Sequence, residues 1–175
     1  LIKVKDGTEA AGVINTASIL ARYQVERAKA LFNDYSHASA EAILRRVLAD
    51  QPGLSRPFRD YLRRQIALAR GFDAWDRFDH TRALEILDSY GSELERTLVT
   101  LKQLAGRDNR ATGYEPVLDL LRNAERRAAQ LRYDDAVARL YRATELFAQV
   151  RLRQRTPVLE AGDLRITGLS GASAG

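Results

Sequence analysis

Residues 120–152 read LLRNAERRAAQLRYDDAVARLYRATELFAQVRL, and this stretch decides the fold of the 175-residue chain. Its apolar residues recur at the period of a helix, which predicts two amphipathic helices joined by a short turn at 131–134. The residues predicted to face inward are Leu121, Ala124, Ala128, Leu131, Val137, Leu140, Tyr141, Phe147 and Val150. The residues predicted to form an outer, arginine-rich face are Arg122, Arg126, Arg127, Arg139, Arg142 and Arg153. We therefore expect a packed helical pair whose cations face solvent.

The rest of the chain also reads as helical. Helices are predicted over 17–33, 38–49, 58–72, 81–89 and 92–104. Pro52 and Gly53 give the clearest break between them, because this pair stops a helix. The only strand candidates, 1–4 and 164–167, are too short to define a sheet. The predicted fold class is all-α: stacked antiparallel helical hairpins that lead into the final helical pair.

The predicted organisation has five parts. They are a lead-in or strand remnant at 1–15, a helical-hairpin connector domain at 16–105, a linker at 106–113, the helical pair at 114–155 and an irregular tail at 156–175. A weak internal repeat supports the hairpins: an aromatic residue at Tyr35, Phe78 and Tyr133 is followed five positions later by alanine. Small residues let two helices approach closely, which is typical of stacked helical hairpins.

The composition excludes several kinds of chemistry. The chain has no cysteine, so disulfides, thiolate zinc sites and cysteine nucleophiles are excluded. Glycine-rich phosphate loops and the nucleophile elbow of hydrolases do not occur. The formal charge is +5 and nearly all the positive charge is arginine. Arginine binds phosphate bidentately, so RNA is one interpretation, and solvated helix faces are the other.

Several segments resemble one protein family. Residues 123–128, 132–145 and 148–152 are similar to the CRISPR-associated ancillary proteins of type III systems that join a CARF sensor to a helical HEPN effector. The earlier run ALFNDY at 30–35, followed by Ala38, Ala40 and Leu44, resembles the helical connector of the same proteins. The resemblance implies a connector that leads into the start of a HEPN region.

The resemblance also implies an activity and partners. In such families a cyclic oligoadenylate, sensed by the CARF domain, switches on metal-independent cleavage of single-stranded RNA by a HEPN dimer. We therefore expect a cytoplasmic homodimer in antiviral defence, with no cofactor, no metal and no membrane partner. The family signature is an Arg, four to six residues, then a His, and neither His37 nor His80 follows an Arg at that spacing. Catalytic residues therefore stay unassigned, and no sensor domain is expected in this sequence.

The arginines of the helical pair are the candidate site. Under the resemblance, Arg122, Arg126, Arg139, Arg142 and Arg153 form an RNA-binding or dimer face. The alternative is that they pair with Asp134, Asp135 and Glu145 along the same helix. Burial of these arginines in internal ion pairs is expected to count against the nuclease relationship. The rival hypothesis for the whole chain is a non-catalytic helical-repeat scaffold for protein interactions, and a HEPN-like protein with a decayed active site is a third.

Two smaller clusters have chemical and structural interpretations. His37 and His80 each follow the repeat aromatic by two residues, so they are either an acid–base or metal pair or packing groups at helix starts. Asp73, Asp76 and Asp79 are either cation ligands or turn and cap residues. We favour the structural interpretation for both clusters, and we expect Trp75 to fill the space between hairpins.

Overall fold

The computed structural model describes residues 16–51 and 53–155. The predicted lead-in, the predicted tail and both strand candidates lie outside the described residues. Within the described part every regular element is helical, so the all-α prediction is confirmed. None of the helices described is long and apolar enough to cross a membrane.

Helix bounds follow the predictions closely. The helices are α1 Thr16–Asn33, α2 His37–Asp50, α3 Arg56–Asp76, α4 His80–Leu87, α5 Glu95–Leu104, α6 Glu115–Ala129 and α7 Tyr133–Arg155, with a 3-10 turn at Asp88–Tyr90. The largest differences are that α3 continues one turn beyond the predicted end and that α5 begins three residues late. Residues 105–114, which include the predicted linker, connect α5 to α6 without a helix.

Three hairpins share one connection. The pairs α1–α2, α3–α4 and α6–α7 are each joined by three residues, and the middle one is left-handed: Tyr35 at φ 59°, Phe78 at φ 64° and Leu131 at φ 60°. In each case the next backbone N–H donates to a carbonyl five residues back, as in a Schellman motif. These hydrogen bonds are Ser36 N to Leu31 O at 2.8 Å, Asp79 N to Ala74 O at 2.9 Å and Arg132 N to Arg127 O at 2.9 Å.

This geometry confirms the repeat and corrects its third copy. The residue equivalent to Tyr35 and Phe78 is Leu131, so the predicted start at Tyr133 is wrong by two positions. Five residues after each left-handed residue stands a buried alanine, at Ala40, Ala83 and Ala136. The predicted Ala138 is exposed. The aromatic ring is therefore not the defining feature; the left-handed connection and the small residue are.

Apolar residues hold the first five helices together. One cluster fills the space between α1, α2 and α3, with Leu44 and Leu62 among its buried side chains. A second lies around α4 and α5, where Leu87 and Leu101 are fully buried. At Gly71 α3 approaches α4 so closely that an added Cβ would collide with the Leu87 side chain. These two clusters give the first five helices an apolar interior.

The α6–α7 pair packs differently from the prediction. On α7 the buried residues are Ala136, Ala143 and Val150, which stand seven residues apart and so lie on one face. On α6 they are Val117, Asp119, Asn123, Ala124 and Arg127. Of the residues predicted to face inward, six are exposed: Leu121, Leu131, Val137, Leu140, Tyr141 and Phe147. The prediction was wrong because small and polar side chains, rather than the large apolar ones, occupy the contact.

Candidate functional site

Asp76, the last residue of α3, is the centre of a buried polar contact with α6. Its carboxylate accepts hydrogen bonds from Asn123 Nδ2 at 2.9 Å and from Arg126 Nε at 3.0 Å. Its second oxygen is paired with the guanidinium of Arg127. Asn123 Nδ2 also donates to the backbone carbonyl of Asp76 at 3.0 Å. The end of α3 is therefore fixed to two adjacent turns of α6.

Asp119, one turn earlier on α6, makes the neighbouring contact. It accepts from the indole Nε1 of Trp75 at 3.0 Å and contacts Nε2 of His80 at 2.9 Å. Because an ionised carboxylate only accepts, this geometry places a proton on Nε2 of His80. Asp119 is only 7% exposed, so these two donors compensate for the burial of its charge.

The network extends to α7 through Asn123. This side chain is fully buried, and its Oδ1 accepts from Nε of Arg139. Arg139 also donates through Nη1 to the backbone carbonyl of Asp135 at 3.1 Å. We call the whole set the polar seam. Its members are Trp75, Asp76, His80, Asp119, Asn123, Arg126, Arg127 and Arg139.

Burial changes the electrostatics of the polar seam. It lowers the pKa of Arg126, against the attraction of Asp119, Tyr35 and Glu125. Burial also lowers the pKa of Arg127, and the nearby charges of Arg139 and Arg132 act in the same direction. Guanidinium groups nevertheless stay charged in proteins, so the carboxylates of the polar seam are needed to balance them.

The predicted arginine face is divided in two. Arg122, Arg142 and Arg153 are exposed, and the first two pair with Glu125 at 3.0 Å and Glu145 at 3.2 Å along their own helices. Arg126, Arg127 and Arg139 instead belong to the polar seam, so their predicted outward orientation is wrong. Intrahelical pairing, the alternative interpretation, is present at Arg142 and at the Arg139–Asp135 pair.

The two histidines have packing roles. His37 is 6% exposed, with its ring 4.7 Å from that of Phe32 and 6.4 Å from that of Tyr35. Burial, followed by the charge of Arg126, lowers the pKa of His37 to about 4, so the ring is neutral near pH 7. The ring of His80 stands 6.2 Å from that of Phe78 and binds Asp119. Packing against the repeat aromatic, the favoured interpretation, is confirmed.

The three aspartates near the end of α3 have separate partners. Asp73 pairs with Arg77 at 3.0 Å, Asp76 belongs to the polar seam, and Asp79 caps α4 by accepting from Arg82 N at 3.1 Å. Within the described ranges, no three histidine or carboxylate groups are placed to hold a metal ion. The interpretation of Asp79 as a helix cap is confirmed.

Sequence reasoning missed Asp119 and Asn123. Both interrupt the apolar side of α6, within the segment VLDLLRNA at 117–124. A polar residue inside an apolar run is the signal that a buried partner is needed. That signal does not say which residue is the partner, because Trp75, Asp76 and His80 lie about 40 residues away in the sequence.

Two family models match this chain. The Csm6 6H domain model matches residues 20–118, and the Csm6 HEPN domain model matches residues 107–161. The class defined by the fold and these matches is the CRISPR-associated ancillary ribonucleases of type III systems. Since the 6H match covers more than half of the 175 residues, the chain belongs to the Csm6-like family. No curated protein and no solved structure matches it.

The matches confirm the predicted relationship and locate the polar seam. Trp75, Asp76 and His80 lie in the part matched by the 6H model alone, whereas Asp119 and Asn123 lie in the part matched by the HEPN model alone. The polar seam therefore joins 6H residues to HEPN residues. Arginines are buried in ion pairs here and the family relationship holds nonetheless, so the expectation that such burial would count against it was wrong.

Proposed function

We propose that this chain is the helical effector-side portion of a Csm6-like protein that cleaves single-stranded RNA without a metal ion. Cleavage is switched on when a cyclic oligoadenylate binds a CARF sensor. The observation that carries the proposal is the match of this one chain to both the Csm6 6H and the Csm6 HEPN models. The polar seam adds a link between the two parts through buried, directional bonds. An Arg and a His at the family spacing supply the catalysis; no such pair occurs in these 175 residues.

The polar seam suits the transmission of a signal between the two parts. Asp76 stands where α3 ends and Asp119 reaches both α3 and α4, so a shift of the α3–α4 hairpin displaces α6. Buried hydrogen-bonded charge pairs resist small displacements, since a broken pair leaves a charge unpaired in a dry environment. Rearrangement of the 6H helices would thus be passed to the HEPN helices.

The surface of the last hairpin provides the proposed partner contacts. Helical spacing places Val137, Leu140 and Tyr141 on one flank of α7, and all three are exposed. We assign this apolar flank to a homodimer interface. The exposed Arg122, Arg142 and Arg153 are assigned to RNA phosphates or to the edge of the same interface. The protein is placed in the cytoplasm, where a CRISPR effector meets foreign RNA.

The test uses the protein in the form that its gene encodes. Labelled single-stranded RNA is incubated with saturating cyclic oligoadenylate, with and without EDTA. We expect cleavage that depends on the activator and persists in EDTA. RNA that stays intact at saturating activator would count decisively against the proposal. Cleavage that EDTA abolishes would overturn its metal-independent part.

A scaffold function is the second candidate, and the exposed apolar flank of α7 favours it. A scaffold would bind a protein through this flank and would not bind RNA. The two functions are separated by titrating RNA at several salt concentrations. Phosphate contacts release counterions, so RNA binding by Arg122, Arg142 and Arg153 would weaken steeply as salt rises.

A further inference from the structure

A cleft runs along the polar seam between the 6H and HEPN residues. It consists of two adjoining cavities of about 430 Å³ and 690 Å³ that share Tyr35, Trp75 and Arg126 in their walls. We call it the seam cleft. The connection between α1 and α2, the end of α3, helix α5 and helix α6 all contribute to it.

One wall of the seam cleft is unusually rich in rings. Phe32, Tyr35, His37, Phe72 and Trp75 all line the smaller cavity. Trp75 is held in place by its hydrogen bond to Asp119 and by stacking on Phe72, with ring centroids 6.2 Å apart and planes 11° from parallel. Tyr35 is 40% exposed and lines both cavities. A fixed indole and an accessible phenol are the groups on which a flat heteroaromatic ring stacks.

His37 adds an unused polar atom to this wall. The residue is 6% exposed, and its Nδ1 has no hydrogen-bond partner among the residues described. A buried polar atom without a partner is costly, and a water or ligand group that reached Nδ1 would remove that cost. Because the ring is neutral near pH 7, it offers one donor and one acceptor nitrogen rather than a positive charge.

The charges around the seam cleft argue against a polyphosphate. Arg122 and Arg126 line the larger cavity, but the carboxylates of Glu115, Asp119 and Glu125 line it too. Phosphates placed inside the cavity would be repelled by these three groups, so the phosphates that flank a bound base must lie outside it. A ring with a hydrogen-bonding edge and at most one nearby phosphate suits this mixture of charges. Arg122 is available for that phosphate, because its pair with Glu125 is exposed and therefore weak.

We propose that the seam cleft binds one unstacked nucleobase of a single-stranded RNA, sandwiched or stacked against Tyr35 and Trp75. The inference rests on the proposed function in that RNA is the source of the base. It goes beyond that function, because it places an RNA contact at the junction of the 6H and HEPN parts. A base bound there would contact 6H and HEPN residues at once, so bound RNA would stabilise the junction between them.

The experiment uses the fluorescence of Trp75, the only tryptophan in the 175-residue chain. The chain is titrated with a short single-stranded RNA, and a labelled copy of the RNA reports total binding by anisotropy. We expect saturable quenching of Trp75 that follows the anisotropy change. Tyr35→Asn should weaken RNA binding by about tenfold, because a stacked base is lost. Asparagine is chosen because it tolerates the left-handed backbone at this position.

Two variants serve as controls. Tyr35→Phe keeps the ring and should bind RNA within about twofold of the parent chain. Tyr23→Gln removes a tyrosine that is 65% exposed on α1 and does not line the seam cleft, so RNA binding should not change. Thermal unfolding of each variant verifies that the fold is kept. A second readout, photo-crosslinking of 5-iodouridine RNA to the parent chain, should label peptides that contain Tyr35 or Trp75.

The outcomes separate the two proposals. If RNA binds by anisotropy while Trp75 is not quenched and Tyr35→Asn binds normally, the inference is overturned and the proposed function stands. If RNA does not bind at all, both the RNA contact in the proposed function and this inference fail. If adenosine monophosphate quenches Trp75 but single-stranded RNA does not, the base comes from a free nucleotide and the RNA source is overturned.

Discussion

The first two hairpins and the α6–α7 hairpin have the same connection but different interiors. Each is turned by a left-handed residue and a Schellman motif, followed by a buried alanine. The α1–α2 and α3–α4 hairpins then bury leucine, isoleucine and valine. The α6–α7 hairpin buries alanine and valine but no leucine or isoleucine, together with Asp119, Asn123 and Arg127. A common backbone motif thus does not fix what holds a hairpin to its neighbours.

The difference matters because the two kinds of contact constrain motion differently. Apolar contacts are non-directional, so the hydrophobic effect by itself selects no single orientation of two helices. Charged hydrogen bonds such as those of Asp76 have a defined geometry, and a partner that moves away leaves a buried charge. We therefore expect the polar seam to favour one orientation of the HEPN helices in addition to its effect on stability.

The largest expected effect is at Asp76. The variant Asp76→Ala removes the carboxylate that accepts from Asn123 and Arg126 and that pairs with the buried Arg127, while the backbone acceptor for Asn123 remains. We expect the free energy of unfolding to fall by about 3–5 kcal/mol, measured by chemical denaturation. The control is Asp60→Ala, which breaks an exposed pair with Arg63 and should cost less than about 1 kcal/mol. A similar small loss for both variants would show that the polar seam does not hold the hairpin.

The apolar contact between α3 and α4 is tested at Gly71. In Gly71→Ala the new Cβ would collide with Leu87, whose side chain is fully buried and has no room to move. We expect a loss of about 1–3 kcal/mol in unfolding free energy, although alanine favours a helix more than glycine does. Gly53→Ala is the matched control because nothing lies near its Cβ position. Unchanged or increased stability of Gly71→Ala would contradict the close contact between α3 and α4.

A third effect is a change of stability with pH, which we expect from the buried ring of His37. The pKa of His37 is lowered from 6.5 to about 4, first by burial and then by Arg126 and, more weakly, Arg127, while Asp73 opposes the shift. Between these values the unfolded chain binds the proton and the folded chain does not. Stability from this group is therefore complete above pH 6.5 and is lost as the pH falls towards 4.

The variant His37→Phe isolates this contribution. Phenylalanine can pack on Phe32 and Phe72 but cannot be protonated. Between pH 6.5 and 4, we expect the parent chain to lose roughly 2–3 kcal/mol more unfolding free energy than the variant. Denaturation curves at several pH values measure the difference. Parallel pH profiles for the two proteins would show that His37 is not buried as a neutral ring.

The smallest effect on folding is expected on the apolar flank of α7. Val137 and Tyr141 are 64% and 68% exposed, so Val137→Gln and Tyr141→Gln should each change the unfolding free energy by no more than about 0.5 kcal/mol. If the flank is the proposed dimer interface, the double variant should shift sedimentation towards the monomer. If each single variant instead lost more than about 1 kcal/mol of unfolding free energy, the flank would be shown to pack inside the fold. An unchanged sedimentation profile would remove the dimer assignment.

Much of the fold could be predicted from local patterns. The breaks at Pro52–Gly53 and at 106–113 separate helices whose bounds were placed within a few residues, because the signals that start and stop a helix are local. The family relationship was also predicted, from the resemblance of residues 123–128 and 132–145, and the family models confirm it. The five-part domain division and the RNA or dimer role of the exposed arginines remain predictions.

The candidate site shows what local patterns do not predict, namely which side of a helix is buried. The large apolar residues of α7, including Val137 and Tyr141, suggested an inward face, yet Ala136 and Ala143 form it. Helical period reveals that residues share a side, but an exposed functional flank gives the same pattern as a core flank. The third copy of the repeat was misplaced for a similar reason, since the aromatic Tyr133 was more conspicuous than the left-handed Leu131.

The sequence by itself determined the helices, their hairpin pairing and the Csm6-like family, because these depend on neighbours within a few turns. Only the tertiary structure decided which charges face inward and which partners they take. Asp76 meets Asn123 and Arg126 across a separation of about 50 residues, and Trp75 meets Asp119 across more than 40. Such pairs leave no local periodicity, since their stability arises only when packing removes water from both partners at once.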